Sequence, residues 1–180
     1  MKSLPLLLAL GILLSACSEQ KAPATHDSDQ PPQVTSSDYI PSDSPVGREI
    51  EKIFAGQEDE EGDVDVDGVI EALDRLLGLV SRDDLPELLA ALESPRNSFW
   101  TRELLAEPIA KVGGLATLPE LLGALHKNTA EGHDNDHLAA ILINLVEAEP
   151  IAAQASLKSL SSDSDPRTVK AADWLLQFAK

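Results

Sequence analysis

An all-α fold of stacked helix pairs behind a disordered N-terminal tether is what this sequence predicts, and three observations carry the prediction. Leu85-Pro86-Glu87-Leu88-Leu89-Ala90-Ala91-Leu92 returns 33 residues later as Leu118-Pro119-Glu120-Leu121-Leu122-Gly123-Ala124-Leu125. A fixed period of that size marks helical units that bury their apolar faces on one another. Leu and Ala fill most of the 43% apolar content while aromatics reach only 3%, a mix that favours helix over sheet. Around the two copies, apolar residues keep helical spacing and are punctuated by Gly, Pro and Ser.

The first stretch reads as an address. Met1 and Lys2 form a short basic start, and Leu4 to Ala16 is an apolar run of 13 residues. That is well short of the roughly 20 that span a bilayer as a helix. Leu14-Ser15-Ala16 places small residues before Cys17, the one cysteine of the chain, so no intramolecular disulfide is available. This segment resembles a bacterial lipoprotein signal, with Leu14 to Cys17 as its lipobox. The resemblance implies removal of residues 1–16 and acylation of Cys17 on its thiol and its new amino group. The other reading is an ordinary signal peptide with an incidental cysteine. Each buried acyl methylene contributes about 0.8 kcal/mol, so two or more chains hold a protein on a membrane without a transmembrane helix. Ser18 follows the cysteine, where an Asp would resemble the inner-membrane retention signal. The resemblance therefore implies the outer membrane, facing the periplasm.

Residues 17–45 form the expected linker. Ser, Asp, Pro, Gln and Thr dominate it, and such a composition cannot bury enough surface to offset ordering entropy, so disorder is expected. Its reach as a random coil is roughly 30 Å. Residues 46–67 follow as a short helix and an acidic hinge. Ile50, Ile53 and Phe54 share one helical face, with Ser44 placed to cap the start and Pro45 at the first helical position.

After Glu58-Asp59-Glu60-Glu61-Gly62, the run from Asp63 to Asp74 resembles an EF-hand calcium loop. Asp63, Asp65 and Asp67 stand at loop positions one, three and five, Gly68 at six, Ile70 at eight, Glu71 at nine and Asp74 at twelve. The resemblance implies calcium as a cofactor, held by Asp63, Asp65, Asp67, Glu71 and Asp74, since calcium takes a cage of hard oxygens around a glycine turn. With Asp at position twelve, the affinity expected is on the order of 10⁻⁴ to 10⁻³ M. The physical alternative is an acidic, solvated connector whose last Asp caps a helix starting near Gly68.

Residues 68–180 carry the helix pairs. Val69, Leu73, Leu76, Leu77 and Val80 mark the first strong amphipathic helix, and Ser81 with Asp84 marks a stop and a capping box. The next helix runs to about Leu92, and Trp100 to Val112 supplies its partner, with Pro108 inside and Gly113-Gly114 as the stop. Leu115 to Leu125 repeats the first pattern. Leu138, Ile141, Leu142, Leu145 and Val146 form the cleanest stripe, and Ile151–Leu160 with Thr168–Phe178 make the last pair. Arg102 to Gly114 running into Leu118-Pro119-Glu120-Leu121-Leu122, and Asp165-Pro166-Arg167-Thr168-Val169-Lys170-Ala171-Ala172, are similar to HEAT-type helical repeats. That resemblance implies a short right-handed α-α superhelix serving as a protein-binding surface. A plain bundle of three or four helix pairs is the alternative.

The formal net charge of −17 argues against nucleic acid, whose phosphates would be repelled, and points to a protein partner with a basic surface. His133 and His137 stand four apart and are the one remaining candidate metal pair. No nucleophile elbow or phosphate-cradling glycine loop is present, so an enzyme is not expected. The function expected is a lipid-anchored periplasmic adaptor that binds another protein through its helical-repeat surface. A calcium-binding module is the alternative, and a metal-dependent enzyme a more distant third.

Overall fold

The structure, a computed structural model, describes residues 39–57 and 64–180. The expected signal segment, Cys17, most of the linker and Asp63 lie outside the described residues. Within them the protein is all-α, with no strand. Its helices are α1 (Pro45–Ala55), α2 (Val66–Leu79), α3 (Leu85–Leu92), α4 (Phe99–Gly113), α5 (Leu118–Ala130), α6 (Asp136–Ala148), α7 (Pro150–Leu160) and α8 (Pro166–Leu175).

The helices pack as consecutive pairs: α1 on α2, α3 on α4, α5 on α6 and α7 on α8. The second members also touch in sequence, α2 to α4, α4 to α6 and α6 to α8, forming one continuous layer. The internal repeat gives α3 and α5 the same start. Both octapeptides begin their helices on the first Leu, each after a 3-10 turn, at Arg82–Asp84 and at Gly114–Thr117. Pro86 and Pro119 fall at the second position, where a backbone N–H would have no intrahelical partner. Leu88 and Leu121, equivalent in the two copies, are both completely buried.

Helix α4 starts on Ser98, whose hydroxyl accepts from the Thr101 N–H, and runs through Pro108 to Gly113. Gly114 ends it at φ 58°, a left-handed conformation that side chains disfavour. One apolar core extends from Val46 to Ala179. Of the expected α6 stripe, Leu138, Ile141, Leu142 and Val146 are buried, while Leu145 is partly buried at the core margin.

Two differences from the sequence reading concern the N-terminal side. The core begins before Gly68, because α1 contributes Val46, Ile50, Ile53 and Phe54 and pairs with α2. The linker drawn to residue 45 also ends earlier. Glu87 of α3 accepts hydrogen bonds from the Ser42 N–H at 2.9 Å, the Tyr39 hydroxyl at 3.3 Å and the Ser44 hydroxyl at 3.3 Å. Ser44 in turn caps α1 through the Gly47 N–H. Gly47 is required there, since a Cβ would stand 2.2 Å from the Ser42 carbonyl oxygen.

The core also contains charge. Arg102 is 1% exposed, and its guanidinium donates to Asn128 Oδ1, to the Asn97 carbonyl at 3.0 Å and to the Glu131 carboxylate. It ties the start of α4 to the end of α5. Glu49, 7% exposed, is paired with Lys52 at 2.7 Å and Arg75 at 2.9 Å. Burial by itself raises its pKa, but the hydrogen bonds from Lys52 and Arg75 outweigh that and hold it below the ordinary carboxylate range.

A candidate binding cleft

The chain has only six aromatic residues, and four of them gather where the end of α1 meets the loop into α4. Ser94-Pro95 ends the α3 segment, and the loop from Arg96 to Ser98 delivers Phe99 and Trp100 at the start of α4. Phe54 on α1 faces them across a cleft of about 590 Å³, lined also by Gln57, Val64, Arg96, Asn97 and Ser98. Tyr39 packs behind Phe54 with ring centroids 6.0 Å apart, and His133 stacks on Phe99 at 3.9 Å and 15°.

The polar groups of this cleft are tightly fixed. Arg96 lies over the Phe54 ring, 4.8 Å from its centroid. Its two terminal nitrogens donate to the two oxygens of Glu51, each at 2.9 Å. Asn97 is buried, and its Nδ2 donates to the carbonyls of Ala91 at 2.7 Å and Leu92 at 2.6 Å. Its Oδ1 has no hydrogen-bond partner among the described residues.

A second cleft, of about 370 Å³, lies between α5 and α8 and is mainly apolar, with Leu125, His126, Ala130 and Trp174 among its walls. Burial, then the charge of Arg167, lowers the His126 pKa. Arg167 itself is held by Asp165, the N-cap of α8, whose carboxyl is brought to about 2 by hydrogen bonds from the Arg167 side chain and backbone.

The sequence candidates fall elsewhere. Cys17 and Asp63 lie outside the described residues. Helix α2 begins at Val66, so the geometry from Asp65 on is a helix start rather than a loop wrapped around a glycine. The Asp65 N–H donates to the Gly56 carbonyl at 3.0 Å, and its carboxylate accepts from the Gly68 N–H at 3.0 Å. The capping residue is thus Asp65 rather than the later Asp67. Asp67, Glu71 and Asp74 follow at helical spacing on one exposed face, with Glu71 paired to Arg75 at 3.2 Å. His133 precedes α6 and is occupied by Phe99, while His137 lies in the first turn of α6, so the pair does not share a helix. Among the described residues, no three His, Cys, Asp or Glu side chains are grouped as a metal ion would need.

Comparison with known protein families, with curated proteins and with solved structures finds no match to this chain. The cleft is therefore read from its own chemistry. The sequence alone does not place it, because only Phe54 of its aromatic walls stands in an apolar helical stripe. The local signal was there in Arg96-Asn97-Ser98-Phe99-Trp100, two aromatics beside an amide and a guanidinium in an aromatic-poor chain.

Proposed function

We propose that this protein is a lipid-anchored adaptor of the periplasm, holding another protein against its helical-pair domain. The observation that carries the reading is the composition of the cleft at Phe54, Arg96, Asn97, Phe99 and Trp100. Aromatic and Arg side chains around a desolvated centre are the groups that dominate protein–protein binding energy. The net charge of −17 favours a partner with a basic surface and speeds its encounter. Anchoring rests on Leu14 to Cys17, with the outer membrane as the leaflet implied by Ser18.

The test is photocrosslinking in intact cells from a residue placed at Ser98, on the cleft wall, and from a control on the opposite end at Gln177. A single protein recovered from the first position and absent from the second supports the adaptor reading. Recovery of nothing specific from either position refutes it. Cys17→Ser tests the anchor separately: loss of fatty-acid labelling and of membrane association is expected, and undiminished labelling refutes the lipid.

A further inference from the structure

We propose that the contact between α5 and α8 is an acid-sensitive latch, in which protonation of His126 loosens the C-terminal helix pair, α7 and α8, from the rest of the domain.

His126 stands on α5 in the wall of the apolar cleft that α8 closes with Arg167, Lys170, Ala171 and Trp174. Its Nε2 is shielded from solvent and has no hydrogen-bond partner among the described residues. A neutral imidazole tolerates this at the cost of one forfeited hydrogen bond to water. An imidazolium does not, because both ring nitrogens are then donors. The added N–H would carry charge into a shielded position with no acceptor.

The charges around the ring act in the same sense. Burial is the largest effect on the His126 pKa and lowers it, and the positive charge of Arg167 lowers it further. Asp165 and the Arg167 backbone pull the other way, but the Asp165 carboxylate is already bound by the Arg167 guanidinium at 2.7 Å. Lys170 brings a second cation to the same cleft. The other elements packed on α5 are α4, α6 and the 3-10 turn Gly114–Thr117, which carries no titratable side chain. Arg102 of α4 is held by Asn128, Asn97 and Glu131. Glu107 and Lys111 of α4 line a separate groove with His137 of α6, and His137 with Asp136 acts on Glu103.

The pair held by this contact is thinly packed. Helix α7 buries Ala153 and Leu157, and α8 buries Ala172 and Leu175, whereas α4 buries seven residues. End elements with few buried contacts open locally at a fraction of the global free energy, so a small penalty at His126 moves this pair first. The sign follows from the lowered pKa. The neutral ring favours the closed pair, so its contribution is complete above the ordinary His value of about 6.5 and fades as pH falls below it.

The experiment is amide hydrogen exchange on the full chain in detergent micelles, at about pH 7.5 and about pH 5, corrected for the chemical effect of pH. Protection of the Ala172 and Leu175 amides should fall, by about tenfold for each unit by which the folded pKa is depressed, while Leu88 and Leu121 keep theirs. His126→Gln and His126→Leu cannot take up the proton, and both should abolish the fall. The parent chain gives a second reading that needs no variant. The His126 ring resonances should titrate below about 6.5, together with the loss of protection in α8. An equal fall in both variants, a fall shared by α3, or no fall at all overturns the latch. So does a His126 ring that titrates at or above the ordinary value, whatever the variants do.

Discussion

Glu87 on α3 accepts the backbone N–H of Ser42 at 2.9 Å, across 45 positions of sequence. The same carboxylate takes the hydroxyls of Tyr39 and Ser44, so one side chain fastens the entry of the chain to the second helix pair. A charged acceptor with several donors contributes more than a neutral one, about 1.5 to 3 kcal/mol for such a bond. Glu120 holds the equivalent place in the second octapeptide, yet its Oε2 is buried without a partner among the described residues. Glu87→Ala should therefore lower the melting temperature clearly and expose Tyr39–Ser44 to protease, while Glu120→Ala should cost little or stabilise. Equal losses at the two positions would show that the Ser42 contact is energetically idle.

The buried guanidinium of Arg102 makes a second prediction. Removing the guanidinium leaves the buried Asn128 Oδ1 without its donor while Glu131 stays in contact with solvent, so the cost is that of an unpaired buried amide, about 1 to 3 kcal/mol, plus the emptied volume. Arg102→Ala should lose that much in urea denaturation, and Arg102→Met less, because its side chain fills the volume. If Ala and Met lose the same small amount, Glu131 and Asn128 are satisfied without the arginine.

Glu49 sets a pH dependence. Its folded pKa lies below the ordinary value, burial being outweighed by the hydrogen bonds from Lys52 and Arg75. A depressed carboxyl contributes stability above its unfolded pKa and loses it as pH falls through the folded one. Glu49→Gln should lower stability at neutral pH by about 1 to 3 kcal/mol and flatten the loss on the acid side. Stability curves for parent and variant that run parallel from about pH 7 to pH 3 would exclude this role.

Leu142 and Leu145 test the register of α6. Leu142 is completely buried, whereas Leu145 is only partly buried at the core margin. Leu142→Asp should cost several kcal/mol by stranding a charge among Leu138, Ile141 and Val146, and Leu145→Asp markedly less. The order is read directly from thermal melts by circular dichroism. A reversed order would turn the helix by about a sixth of a turn.

The sequence by itself determined the helix pairs. The octapeptide from Leu85 to Leu92 and its copy from Leu118 to Leu125 specify α3 and α5, because a Leu stripe at helical spacing is a local instruction, although the second helix, drawn from Leu115, starts at Leu118 after the 3-10 turn Gly114–Thr117. Ser44 as the cap of α1, Ser81 with Asp84 as a capping box and Gly114 as the end of α4 were legible for the same reason. The Asp63–Asp74 spacing was legible too, but spacing does not say where a helix begins. That was decided by the hydrogen bond from the Asp65 N–H to the Gly56 carbonyl at 3.0 Å and by burial of Val69 against α1, which start α2 at Val66. Glu87 with Ser42, Arg102 with Glu131, and Phe54 opposite Trp100 are pairs far apart in the chain, and neither member carries a local mark of the other. Only packing brings them together, because a helix fixes which side chains share its own face and leaves the choice of neighbour to the fit between faces.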